Sequence, residues 1–191
     1  MPSQFENIQI DVSRVPIDKR ALPDFQRKMR ELLRDLANPT TMEACCIHEA
    51  GHLIYFRRAG LDPSLSGPMI MYDEACAQFR HGLAWVKPDL RAIRDLNAFA
   101  KGVAAGGVFT RAIAGQEYLG HSGDLDVFRG IVKHWFRSNG PTADEILRTA
   151  ISAVEEDLGE PESPVRGEIP AAIAEIKDRC FGIRMTAPSP D

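Results

Sequence analysis

In the run Ile47-His48-Glu49-Ala50-Gly51-His52, two imidazoles stand four residues apart with a carboxylate directly after the first. On a helix that spacing puts the two histidines on one face, with their Cβ atoms about 5–6 Å apart, close enough to share one ion. Zinc accepts neutral imidazole nitrogen, and a catalytic zinc takes three protein ligands while leaving a fourth position for water. One further ligand must therefore come from elsewhere in the chain. Zinc also lowers the pKa of its water from about 15.7 to about 7, so a neighbouring carboxylate can remove the proton and direct the oxygen at a carbonyl carbon. Glu49, rotated about 100° from His48 around the helix, suits that basic role better than direct ligation. The chemistry these residues could do together is metal-assisted amide hydrolysis.

The elements that must position them are legible as periodicities. Thr40 with Glu43 makes a capping-box signature for a helix that runs to about Ala59 and ends at Gly60, and this helix carries the two histidines. Apolar residues at helical spacing predict a preceding helix over Pro23 to Ala37. They predict later helices over Leu90 to Ala114, Asp124 to Phe136, from Thr142 (capped with Glu145) to about Leu158, and Ile169 to Cys180. Two short strands, Pro68 to Tyr72 and Gly82 to Val86, are expected to form a small hairpin. Small residues around Gly102, Gly106 and Gly107 mark a helix surface that another helix can approach closely. The expected fold is thus mostly α, a helical domain over 21–183 with the His-Glu-x-x-His helix and a β-hairpin. A weakly strand-like N-terminal arm (1–20) precedes it and a disordered tail (184–191) follows.

Composition bounds the function class. With 191 residues, 44% hydrophobic and a net charge of −4, the chain has enough apolar residue for one core and no basic field for nucleic acid. No uncharged apolar stretch reaches about 18 residues, and the first residues lack a basic start followed by an apolar core, so neither a membrane span nor a signal peptide is expected. Cys45, Cys46, Cys76 and Cys180 form no C-x-x-C pair, which predicts reduced thiols in a cytoplasmic protein.

With HEAGH, then GLAWV, then AAGGVFTRAIAG, then HSGDL in this order, the chain from about Met42 to Ile183 resembles the peptidase domain of the FtsH family of AAA proteases. The resemblance implies a zinc metalloendopeptidase in which His48, His52 and Asp124 hold Zn2+ and Glu49 is the base. It also implies that the strand with Leu83, Ala84 and Trp85 flanks the substrate cleft, adding an extended peptide by backbone hydrogen bonds, and His121 is a further candidate on the substrate side. The implied substrate is a peptide or unfolded protein, with no nucleic acid or membrane as partner. The chain departs from the family in two respects. It has no G-x-x-x-x-G-K-[ST] phosphate loop, so any unfolding of substrates would fall to a separate ATPase partner, with a homo-oligomer the other expected assembly. The family's acidic pair after the glycines also falls on Arg111 and Ala112, which removes two carboxylates that would orient ligands. That loss prompts a rival reading, a non-catalytic zinc-binding module that binds or regulates a partner.

Glu117, His121 and Asp126 are chemically able to ligate and lie near Asp124. With Ser122 as the cap, Asp124 falls in the first helical turn, where the dipole favours a carboxylate, and Asp126 is rotated about 200° onward. Cys45, one turn before His48, is expected to be a small buried hydrophobe, and His81 and His134 to be surface or structural residues.

Overall fold

A computed structural model describes residues 8–115, 121–135 and 142–183. Among them, six α-helices account for most of the chain and four short strands form two antiparallel pairs. The expected tail and Glu117 lie outside the described residues.

Helix α1 (Pro23–Leu36) turns Leu32 and Leu36 inward and ends where Asn38-Pro39 interrupts it. Helix α2 (Pro39–Arg58) follows at once. Its cap is not the expected Thr40/Glu43 box: the Asn38 side chain accepts from the N–H groups of Thr40 and Thr41 at 3.0 and 3.3 Å, and Pro39 fills the first turn. Proline needs no donor partner there, so Asn-Pro makes the better start. Glu43 is thereby free of the cap and pairs with Lys177 on the last helix at 2.6 Å. Gly60, at φ +74°, terminates the segment as expected.

Helix α2 is apolar all round, burying every residue from Ala44 to Phe56. Such a helix must be enclosed on all sides, and α2 contacts α1, a short strand, α3 and α6, forming the centre of the molecule.

The expected hairpin between 68–72 and 82–86 does not form. Strand β2 (Met69–Asp73) pairs instead with β3 (Gln78–Gly82), and β1 (Ser64–Ser66) with β4 (Trp85–Lys87). The segment between the two expected strands is largely strand itself, because Gln78-Phe79-Arg80 alternates with only Phe79 turned inward, too short a signal to stand out. The turn between β2 and β3 is set by Asp73, whose carboxylate accepts from Ala75 N–H at 3.1 Å, and by Ala77 at φ +52°. The N-terminal segment packs here too, with Asp11 bridging Pro68 and Ile70 through backbone hydrogen bonds and Val15 fully buried.

The helix expected over Leu90 to Ala114 is in three pieces. A 3-10 turn at Leu90–Ala92 comes first, then α3 (Leu96–Phe109), started by Asp95 accepting from Asn97 and Ala98 N–H, then a π-helical turn at Thr110–Ala114 closed by Gly115 at φ +66°. Helix α4 (His121–Trp135) begins before the expected Ser122 cap, with Asp124 in its first turn. Helix α5 (Ala143–Gly159) has the expected capping box between Thr142 and Glu145. Helix α6 (Pro164–Phe181) is longer than expected, started by Ser163-Pro164. Among the described residues no helix is long and apolar enough to cross a membrane. Cys45, Cys46 and Cys180 are buried, Cys76 is exposed, and no disulfide joins any of the four.

Candidate metal centre

Helices α2 and α3 come close because the residues between them are small. A Cβ on Gly51 would stand 2.8 Å from the Ala105 carbonyl oxygen, and one on Gly106 would stand 2.5 Å from His52 Nε2 and 2.8 Å from His48 Cε1. The two imidazoles thus lie close against the backbone of α3, in space that any side chain at 106 would fill. Helix α4 is fixed against this pair by an aromatic ladder. His52 stacks on Phe56, Phe56 on Phe99 of α3, and Phe99 on Phe128 of α4, with centroid separations of 5.9, 5.6 and 5.9 Å. Phe128 is fully buried and lies four residues after Asp124, so anchoring it turns Asp124 onto the same inward face.

Three ligand atoms converge there. His48 Nε2 and His52 Nε2 are 3.0 Å apart, and Asp124 Oδ2 lies 3.0 Å from the first and 3.2 Å from the second. Ligands held tetrahedrally at about 2.0–2.2 Å from an ion stand about 3.3–3.6 Å from one another, so the triangle needs to open by only a few tenths of an ångström. The group His48, His52 and Asp124 could therefore hold a metal ion, and it is the only such group among the described residues. His48 and His52 are buried and the Asp124 side chain is partly exposed.

The far nitrogen of each histidine is also engaged. His52 Nδ1–H donates to the Gly102 carbonyl at 2.7 Å, which leaves Nε2 as the ligating nitrogen. His48 Nδ1 is 3.3 Å from Thr110 Oγ1, whose hydroxyl donates to the Gly106 carbonyl at 2.7 Å. Neither Thr110 nor the Gly102 carbonyl was legible as a site group, although Thr110 is the one uncharged polar residue in AAGGVFTRAIAG. The positions of the expected acidic pair point elsewhere: Arg111 and Ala112 are exposed, and Arg111 pairs with Glu155 on α5 at 3.2 Å.

The charges of the three groups act on one another. Burial alone would lower His52, but the charge and hydrogen bond of Asp124 outweigh it and His52 is raised to about 9. Burial alone would raise Asp124, but the charge of His52 and hydrogen bonds from both imidazoles hold it well below the usual carboxylate range. A cavity that draws a proton to neutralise its carboxylate is suited to a cation.

Glu49 is only 7% exposed and accepts from Val86 N–H of β4 at 2.9 Å. Burial pushes its carboxyl up to about 7, against the charge of His52. Of the residues expected on the substrate side, Leu83 and Ala84 have buried side chains in the link between β3 and β4. Trp85 is half-buried on β4 with its ring over Gly82 and Lys87 Nζ 4.9 Å from the ring centroid. His121 begins α4, and its side chain lies outside the described residues. Asp126, the competitor of Asp124, is exposed and pairs with Arg129 at 2.9 Å. Cys45 is fully buried in the core and is not among the converging ligands. His81 lies 3.5 Å from Asp35, away from the centre. Compared with protein-family models, curated proteins and solved structures, the chain gives no match.

Proposed function

We propose that the chain is a zinc metalloendopeptidase that hydrolyses unfolded or extended polypeptides without ATP, with a site of the FtsH peptidase type. The observation that carries this reading is the convergence of His48 Nε2, His52 Nε2 and Asp124 Oδ2 beside a buried glutamate that is not one of the three. Two imidazoles and one carboxylate, with no fourth protein ligand among the described residues, are the donor set of a catalytic rather than a closed structural zinc site. When bound, zinc would supply Lewis acidity to a scissile carbonyl and a lower pKa to an attacking water.

In this reading His48, His52 and Asp124 hold the ion, while Gly102 and Thr110 orient the imidazoles. Glu49 takes the proton of the attacking water and passes it to the leaving amine. Burial pushes its carboxyl above the ordinary carboxylate range, which favours its taking a proton. Val86 N–H fixes the Glu49 carboxylate, and it places β4 alongside the base. In this reading Leu83, Ala84, Trp85 and His121 belong to the substrate side of the cleft, where the strand would take up an extended peptide. A separate ATPase, or a second copy of the chain, is the proposed partner for folded substrates.

The test compares wild type with Glu49→Gln in metal analysis and in hydrolysis of an unfolded casein-type substrate. One equivalent of zinc in both proteins, with turnover in the variant reduced about 10²–10⁴-fold, is the expected result. Zinc without hydrolysis in the wild type would leave a metal-binding module, and no zinc at all would end the reading.

A further inference from the structure

Each imidazole of the centre has one nitrogen toward the other ligands and one toward α3, and the two α3 partners differ in kind. His52 faces a backbone carbonyl, which can only accept, so its tautomer is fixed by the main chain and no substitution can change it. His48 faces a hydroxyl, which can accept or donate and so fixes nothing until its own proton is placed. The Gly106 carbonyl places it, because Thr110 Oγ1 lies 2.7 Å from that oxygen but 3.3 Å from His48 Nδ1. With its proton committed to Gly106, the hydroxyl presents only lone pairs to the imidazole. His48 then carries hydrogen on Nδ1, which leaves Nε2 as the nitrogen that faces the other two ligand atoms and would hold a metal.

Burial makes this arrangement strict. Thr110 is 0% and His48 1% exposed, so no solvent water can replace the hydroxyl as the partner of Nδ1. The π-helical turn that begins at Thr110 ends the regular path of α3 at this residue, and it leaves Arg111 and Ala112 on the exposed side. Position 110 is therefore the only one of the three whose side chain reaches the centre.

We propose that Thr110 is a positioning residue of the metal centre, its hydroxyl selecting the Nδ1–H tautomer of His48 through the relay from Gly106 and doing so without adding charge. This rests on the metal-site reading above and deepens it. Groups that orient metal-bound histidines typically change metal affinity 10–100-fold when removed, even though they never touch the ion. The substitution that isolates the effect is Thr110→Val, which keeps shape and volume and removes only the hydroxyl. The Gly106 carbonyl keeps its backbone partner, the N–H of Thr110, so the helix end is not left unpaired.

The experiment measures zinc affinity by chelator competition for wild type, Thr110→Val and Thr110→Ser, and follows the His48 Nδ1–H proton by NMR in each zinc-loaded protein. Wild type and Thr110→Ser should agree within about threefold and show the same hydrogen-bonded Nδ1–H resonance, while Thr110→Val binds about 10–100-fold more weakly and its Nδ1–H resonance shifts upfield for want of an acceptor. Should the Val variant not fold, Thr110→Ala removes the same hydroxyl with less bulk and gives the same comparison. Equal affinity and an unchanged His48 proton in the hydroxyl-free variant would overturn the role of Thr110 while leaving the metal site standing. A wild type that binds no zinc would overturn the metal-site reading and this proposal with it.

Discussion

Gly106→Ala adds a single methyl, and its effect can be worked from the contacts. The new Cβ would lie 2.5 Å from His52 Nε2, 2.7 Å from His52 Cε1 and 2.8 Å from His48 Cε1. Ordinary non-bonded contact between heavy atoms is about 3.5–4.0 Å, so something must move by roughly 1 Å. Parting the helices would undo the close approach of α2 and α3 at Gly51 and Ala105, the neighbours of His52 and Gly106. The imidazoles must give instead, and His52 is tied by its Nδ1–H to Gly102 at 2.7 Å. Zinc ligands have to be placed within about 0.2 Å, so a shift of this size removes at least one ligand of three. The expected loss of zinc affinity exceeds about 100-fold, more than removing an orienting group would cost. Stability changes less: overpacking costs about 1–3 kcal/mol, offset by up to about 1 kcal/mol gained when Ala replaces Gly inside a helix. Gly130→Ala on α4 is the control, because its Cβ meets nothing within 4 Å. It should leave zinc affinity unchanged and stabilise by about 0.5–1 kcal/mol. Chelator competition and thermal unfolding of both variants decide the matter. A Gly106→Ala protein that binds zinc within about threefold of wild type would refute the steric reasoning.

Asp124→Ala should cost most of the zinc affinity, while Asp126→Ala, removing an exposed carboxylate paired with Arg129, should retain a full equivalent by metal analysis. The metal-free protein should lose stability as pH rises. His52, raised from 6.5 to about 9, contributes stability that is full below 6.5 and gone above 9, and Glu49, raised from 4.5 to about 7, adds a loss of the same sign between those values. Zinc binding must displace the His52 proton, so affinity should rise with pH toward 9; a melting temperature that climbs from pH 6 to 9 without metal would contradict this. Tyr55→Phe breaks the 2.6 Å bond from the Tyr55 hydroxyl to Asp157, which ties α2 to α5. It should cost about 1–3 kcal/mol in denaturant unfolding, with zinc affinity unaltered.

What the residues alone determined is what depends on short separations. His48 and His52 share a face because four residues make about one helical turn, and the structure keeps them 3.0 Å apart at Nε2. The Thr142/Glu145 box and the Gly60 terminator are equally local, and each forms as expected. Where two local signals competed, reading missed the start: Asn38-Pro39 outranked Thr40/Glu43, and Asp95 restarted at Leu96 a helix that periodicity alone ran on from Leu90. Strand pairing was beyond reach, because β1 and β4 meet across the whole intervening β2–β3 hairpin and no three-residue strand declares its partner.

The rest of the centre belongs to the tertiary structure. Asp124 reaches the histidines from more than 70 residues away, and resemblance together with its place in the first helical turn singled it out over Asp126. What turns it inward is the burial of Phe128 at the end of the aromatic ladder. Thr110 and the Gly102 carbonyl act on side chains 62 and 50 residues distant, across a helix contact whose closeness depends on the absence of Cβ atoms at Gly51 and Gly106. A sequence shows that a glycine is small; only the packed helices show that an imidazole lies where its side chain would have been.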